Sequence, residues 1–257
     1  MQKISAVLIT YNEASIIAKT LENLAWCDEI VVVDSGSDDE TVKICEQYAC
    51  KVYYKKFEGF GTQKQYAVAC ASYDWILSID ADEILSVELQ NELQNLKKLE
   101  KLPANAYNIP RSLIFMEQKI RFGGEYRNLQ LRFFNRKFAN FNDLSVHESV
   151  LVQDKKVLAL KSELLHYSYK NLADYFTKLN HYTSLAADKL FAENKRQPLP
   201  ILMIRFPFDF LYKYIFQGLI FDGFAGFIWA LFSSISPVVK YSKVEEKRLI
   251  HKKHKHQ

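Results

Sequence analysis

Apolar runs alternate with helix-period patterns through the first hundred residues. Ile4–Thr10 reads as a strand, Ala14–Leu24 as a helix, and Glu29–Asp34 as a second strand. Ser37-Asp38-Asp39-Glu40 has the form of a capping box, whose first and last side chains satisfy exposed N–H groups, and it predicts a helix from there to about Tyr48. A strand at Lys51–Tyr54, a loop at Gly59-Phe60-Gly61 and a helix over Thr62–Ala71 follow. Asp74–Ile79 is a continuous apolar run of the kind expected for a strand covered on both faces, with Asp80 directly after it. A helix over Val87–Leu99 ends before Leu102-Pro103. This alternation is the grammar of a parallel α/β sheet.

From Ala106 to about Leu165 the runs are short and β-rich (Tyr107–Ile109, Leu131–Asn135, Val146–Val152), which predicts a mixed, more antiparallel half. A long helix over Asn171–Glu193 stops before Pro198 and Pro200. Ile201–Tyr241 is the most apolar and aromatic stretch. Arg205, Asp209, Lys213 and Asp222 interrupt its first half, and the charge-free part, Gly223–Val239, contains Pro237. That part falls short of the roughly 20 residues that cross a bilayer. A helical hairpin lying in a membrane interface fits it better than a clean span, with a buried core or oligomer contact as the other reading. The expected division is 1–105 and 106–170 for the two halves of one α/β domain, and 171–257 for a helical, membrane-associated region.

A chain of 257 residues with 49% hydrophobic and 25% charged content has room for one large domain with an appended segment. The 14% aromatic content is densest in the C-terminal third. Net charge is +4, and the basic run His251-Lys252-Lys253-His254-Lys255-His256 is either solvated or attracted to anionic headgroups. Cys27, Cys45, Cys50 and Cys70 lack CxxC spacing, so reduced structural thiols in an intracellular protein are expected. The chain opens on a strand pattern, so no leader is expected. No serine–histidine triad or zinc spacing is present, and no nucleic-acid partner is expected.

Open α/β sheets bind ligands at the carboxyl ends of their strands. Three polar clusters fall there: Thr10-Tyr11-Asn12-Glu13, Asp34-Ser35-Gly36-Ser37-Asp38-Asp39, and Asp80-Ala81-Asp82-Glu83. Asp80 and Asp82 can direct two carboxylates at one Mg²⁺ or Mn²⁺ bridging the phosphates of a nucleotide diphosphate. The alternative is a helix start, since acids favour that end.

Ile9–Glu13, Val31–Thr41 and Ile79–Glu83, in this order, resemble family 2 glycosyltransferases of the GT-A fold, a Rossmann-like nucleotide-sugar-binding sheet. Gly59–Gln65, Phe133–Arg136, Val146-His147-Glu148 and the aromatic segment resemble, more narrowly, bacterial lipopolysaccharide-core transferases that add β-glucose to inner-core heptose. The resemblance implies a UDP-sugar donor, a lipopolysaccharide-core acceptor, a divalent metal and a place on the cytoplasmic face of the inner membrane. It also implies that Thr10, Tyr11 and Glu13 contact uracil and ribose and that Asp34 bonds the base. Tyr11 offers a stacking face, and a carboxylate accepts from a uracil N–H or a ribose hydroxyl. Lys64 meets the diphosphate as a point charge or is an ordinary surface lysine.

Inverting transfer needs a base for the acceptor hydroxyl. Glu148 is the first choice, with Asp143 and Glu125 behind it. Asp82 is the stronger metal ligand and Asp80 serves the metal or the ribose. His147 is a third ligand, a substrate contact or a core histidine. Arg132 and Arg136 hold donor phosphates or an acidic acceptor, or are solvated edge charges. His166 and His181 are given no role. The competing functions are a nucleotidyltransferase, disfavoured because the first loop is acidic and lacks glycine, and a non-catalytic sugar-nucleotide-binding protein at a membrane.

Overall fold

The computed structural model describes residues 1–142, 148–153 and 156–254. The chain forms two compact units, Met1–Ser112 with Arg127–Tyr167, and Leu113–Tyr126 with Ser168–Gln257.

In the first unit, β1 (Ile4–Thr10), β2 (Glu29–Asp34), β3 (Lys51–Tyr54) and β4 (Trp75–Ser78) lie parallel in the order β3-β2-β1-β4. Their Ile, Val and Leu side chains are buried on both faces, as a covered parallel sheet requires. The connecting helices are α1 (Ile17–Leu24), α2 (Thr41–Gln47) and α3 (Phe60–Cys70). β1 has β2 on one side and β4 on the other, so the order of winding reverses beside it and opens a crevice at the carboxyl ends.

Past β4 the sheet becomes mixed. β8 (Asn128–Asn135) runs antiparallel to β4 and to β6 (Ala106–Phe115), whose register shifts between Tyr107 and Asn108. β12 (Leu164–His166) and β5 (Glu83–Leu85) complete the order, and α4 (Val87–Lys98) follows β5. β11 (Val157–Ala159) runs parallel to β6, and β9 (Ala139–Phe141) pairs with β10 (Val150–Val152). Trp75 stacks on Phe133 at 5.0 Å, and Tyr107 lies 5.5 Å from Phe133, so an aromatic core joins the parallel and mixed halves.

The amino ends of the parallel strands meet on one buried carboxylate. Glu29 Oε2 accepts from Ser5 Oγ at 2.6 Å and Ser72 N at 2.7 Å, while Oε1 accepts from Lys51 Nζ and Ser72 Oγ, both at 2.6 Å.

In the second unit, Asn171 caps α5 (Leu172–Ala192) by accepting from Asp174 N at 2.9 Å. α6 (Leu199–Leu211), a π-helical turn (Tyr212–Phe216) and a 3₁₀ turn (Leu219–Asp222) lead into α7 (Gly223–His254). β7 (Gln118–Lys119) turns back on residues 114 and 115. Phe115, Tyr175 and Trp229 form the aromatic centre of this unit. At Gly226 an added Cβ would lie 2.0 Å from the Leu219 carbonyl oxygen, so only glycine permits the close approach of the 3₁₀ turn to α7. Among the described residues one helix, Leu219–Lys253, is long and apolar enough to cross a membrane.

Three sequence expectations are corrected. The helix expected from Ser37 begins at Thr41 with no side-chain cap, because Ser37 Oγ donates to Asp34 instead. Gly59 precedes α3 with φ of +123°, and Phe60 and Gly61 are already helical rather than loop. Ser86, accepting from Leu89 N at 3.1 Å, caps α4, while Glu83 lies on a strand, so the helix-start alternative for Asp82 and Glu83 falls.

Burial works to raise the pKa of Glu29, but its hydrogen bonds from Lys51, Ser5 and Ser72 prevail and hold it at about 2. The folded value lies below the unfolded one, so this stabilisation is complete above the ordinary glutamate range and lost as pH falls from about 4.5 to about 2. Urea titrations should show Glu29→Gln costing on the order of 3 kcal/mol at pH 7, with the gap from wild type closing over that acidic window.

Candidate active site

The first unit brings a second set of charged side chains together at the carboxyl ends of β1, β2 and β4. α3 sends three consecutive side chains to different places. Gln63 Nε2 donates to Ser35 Oγ (3.0 Å) and the Lys55 carbonyl (2.7 Å), and Gln65 Nε2 donates to the Phe141 carbonyl (2.6 Å). Between them Lys64, its side chain only 5% exposed, places Nζ 2.8 Å from Asp80 Oδ1 and 2.8 Å from Glu148 Oε1. Phe141 lies under the same ammonium at 5.6 Å.

The other oxygen of Asp80 accepts from Nη2 of Arg132 on β8, and that nitrogen also donates to Glu83 Oε1 at 2.8 Å. Glu83 is fully buried. Arg111 Nη1 lies 3.4 Å from its Oε1, and its Oε2 accepts from Asp80 N at 3.0 Å. Burial opposes the charge on Asp80, but Arg132 and Lys64 outweigh it and hold the carboxyl well below the usual range. Burial likewise opposes the charge on Arg132, and Asp80 and Glu83 override it, raising the guanidinium pKa. Buried charges cost several kcal/mol each when unpaired, so these groups stabilise the site only as a set. Arg132 Nε is buried with no hydrogen-bond partner among the described residues.

Asp82 has different company. Its carbonyl accepts from Tyr167 N at 2.8 Å, and its Oδ2 lies 3.3 Å from His166 Nε2. The β5–β12 register, which sets His166 opposite Glu83, brings the imidazole there. Thr20 Oγ1 donates to the Ala81 carbonyl at 2.6 Å and fixes the backbone between the two aspartates. The Asp82 carboxylate is an oxygen donor of the kind that Mn²⁺ or Mg²⁺ takes, and the His166 imidazole stands beside it. No group of three His, Cys, Asp or Glu suited to a metal occurs among the described residues. Asp80 already pairs with Lys64 through one oxygen and with Arg132 through the other.

The loops after β1 and β2 are one hydrogen-bonded assembly. Asp34 Oδ1 accepts from Gly36 N and Ser37 N, both at 2.8 Å, and its Oδ2 accepts from Ser37 Oγ and from Thr10 Oγ1 at 3.2 Å. Ser37 Oγ accepts from Asn12 N at 2.9 Å, and Thr41 Oγ1 accepts from Glu13 N at 2.8 Å. Gly36, with φ of +101°, makes the turn that aims the two N–H groups at Asp34. Tyr11 projects from this assembly, 59% exposed.

The site therefore unites Lys64, Asp80, Arg132 and Glu148, with Asp82 beside His166, and keeps Thr10, Tyr11, Glu13 and Asp34 on the adjoining loops. Glu125 belongs to the second unit, where its carbonyl accepts from Leu113 N at 3.2 Å. Asp143 and His147 lie outside the described residues. Arg136 is more than a solvated edge charge: its Nη1 donates to the Ala71 and Val68 carbonyls at the end of α3. Sequence reasoning passed over Glu83 as a ligand of arginine and gave His166 no role. The signal for Glu83 was its place directly after Asp80-Ala81-Asp82, whereas nothing local marks His166.

Residues 5–156 match the family model described as glycosyl transferase family 2. The chain belongs to glycosyl transferase family 2. It is a transferase, and every site residue above except His166 lies inside the matched span. An uncharacterized glycosyltransferase of Rickettsia felis is 33% identical over 97% of this chain and 92% of its own length. The lipopolysaccharide core biosynthesis glycosyltransferase LpsC of Rhizobium meliloti is 30% identical over 96% and 93% of the two chains. Among solved structures, Staphylococcus aureus TarS 1-349 is similar at 15% identity and a TM-score of 0.46, covering 94% of this chain and 88% of that one.

Arg132→Ala leaves Asp80 and Glu83 without their shared cation and should cost about 3–5 kcal/mol in urea unfolding, with Arg132→Lys intermediate because one ammonium cannot reproduce a planar fork. An Arg132→Ala protein as stable as wild type would contradict a structural role for the network.

Proposed function

We propose that this family 2 enzyme transfers a hexose, glucose by its resemblance, from a UDP-sugar to a heptose of a lipopolysaccharide core, with inversion at the anomeric carbon. The observation that carries this reading is the unequal treatment of the two aspartates. Asp80 is committed to Lys64 and Arg132, while Asp82 is turned toward His166. The pairing with LpsC, whose name specifies lipopolysaccharide core biosynthesis, supports the acceptor class.

In this reading Tyr11 stacks on the uracil, and the Thr10–Asp34 assembly shapes the ribose side of the pocket. All four acceptor positions of Asp34 are filled from within the chain, so a direct bond from Asp34 to the base displaces one of those donors. Asp82 and His166 would hold the Mn²⁺ or Mg²⁺ ion, which would supply charge neutralisation for the departing diphosphate. Lys64, already between two carboxylates, turns its point charge to the same phosphates. Glu148 accepts the proton of the acceptor hydroxyl as that oxygen bonds to the anomeric carbon and the bond to the diphosphate oxygen breaks. The products are the glycosylated acceptor and UDP.

A screen of radiolabelled UDP-sugars against truncated core acceptors tests the reaction, with linkage read by NMR. Asp82→Asn should abolish transfer with an unchanged circular dichroism spectrum, and Glu148→Gln should lower kcat by roughly 100- to 10,000-fold. His166→Ala should weaken Mn²⁺ binding, measured by calorimetry in the presence of UDP, by roughly tenfold or more. Full transfer in the presence of a chelator would overturn the metal role.

The enzyme acts, in this proposal, as a peripheral protein on the cytoplasmic face of the inner membrane. Phe208, Phe216, Phe221 and Phe224 are all exposed in the second unit, and Lys and Arg residues accompany them. The full chain should cosediment with anionic phospholipid vesicles. Phe216→Ser with Phe221→Ser should weaken this about tenfold, and 0.5 M salt only in part, because apolar burial survives screening.

A further inference from the structure

The second unit holds a cavity of about 390 Å³ between one face of α5 and one face of α7. Tyr175, Leu179, Tyr182 and Ala186 supply the α5 side at helical spacing. Trp229, Ser233, Ser236 and Lys240 supply the α7 side with the same spacing. Tyr169 and Thr183 complete the lining. The volume lies within the roughly 300–1,000 Å³ of small-molecule sites.

The lining is aromatic and hydroxylic rather than aliphatic. Leu179 and Ala186 are its only aliphatic side chains, which makes it a poor fit to an acyl chain. Tyr182, 60% exposed, offers its ring to the C–H face of a pyranose, and the Tyr182 and Ser236 hydroxyls offer hydrogen bonds to its rim, whereas Ser233 and Thr183 are held by Lys213 and Lys243 and Tyr175 and Trp229 are largely buried. α7 carries no charge from Gly223 to Val239, and Lys240 is the first cation after that tract.

The neighbouring lysines of the unit are occupied. Lys213 Nζ donates to Ser233 Oγ at 3.0 Å, Lys243 Nζ donates to Asn180, Thr183 and Ser184, and Lys178 lies 3.4 Å from Asp174. Lys240 sits 5.0 Å over the Tyr241 ring, and among the described residues no carboxylate pairs with it. A lysine in that position recognises an anionic group as a point charge.

We propose that this cavity is a second carbohydrate site, selective for a sugar that carries a phosphate or carboxylate substituent. It is a site of the helical unit alone and does not depend on the assignment of the nucleotide-sugar pocket.

Calorimetry on the full chain, with UDP present at saturation, tests it with glucose 6-phosphate, glucuronate, glucose and inorganic phosphate as probes. Glucose 6-phosphate or glucuronate should bind with a Kd on the order of 1 mM or tighter, and which of the two binds better identifies the substituent. Glucose and inorganic phosphate should each bind at least about tenfold more weakly. Lys240→Met should weaken binding at least about tenfold and Lys240→Arg should largely restore it, both with unchanged circular dichroism. Asp82→Asn should bind the probes as wild type does, so a failure of the transferase reading leaves this result intact. No binding of either anionic sugar up to about 10 mM would overturn the proposal. So would a Lys240→Met protein that binds like wild type, or inorganic phosphate binding as well as the sugars.

Discussion

Lys64 from α3 takes one oxygen of Asp80 and Arg132 from β8 takes the other, while Glu83 closes the set from β5. These four side chains come from the parallel half and the mixed half of one sheet, so their charges cannot be satisfied until both halves have formed. Each is expensive to bury alone and tolerable only in company. The network thereby acts as the polar counterpart of the Trp75–Tyr107–Phe133 core, and it also fixes the direction in which the backbone leaves β4.

Much of the parallel half was legible in the sequence, because strands buried on both faces leave continuous apolar runs and the helices between them leave a different period. β1, β2 and β3 have the boundaries read from those runs. Glu83–Leu85 was not legible: three residues are too few to show a period, acids before a helical pattern look like a helix start, and the partner strand Leu164–His166 is about eighty residues away. The same distance hid His166, which only the β5–β12 register brings to Asp82. Ser37 misled for another reason. A serine three residues before a glutamate satisfies a local rule, but the Asp34 carboxylate offered its hydroxyl a better partner than the helix did.

The acids of the site were recognised by type and order, not by environment. The sequence reading favoured Asp82 over Asp80 as the metal ligand, but the surroundings that set the two apart were not visible there, since both follow the same strand. Their different surroundings depend on Lys64 and Arg132, whose burial is a property of the folded sheet. In the helical unit the long apolar tract was evident, and so was a helix pair. The cavity between α5 and α7 was not, because it arises from two faces that share a spacing while lying more than forty residues apart.

Glu29 anchors Ser5, Lys51 and Ser72 at the amino ends of the strands, the edge of the sheet away from the candidate site. Register is thus locked at one end and chemistry is carried at the other. The loops that bear Tyr11, Gly36 and Glu148 can therefore be rebuilt without loosening strand alignment. A scaffold divided in this way is open to evolutionary change of donor and acceptor preference, and a designer seeking a new sugar specificity has a rigid base from which to graft.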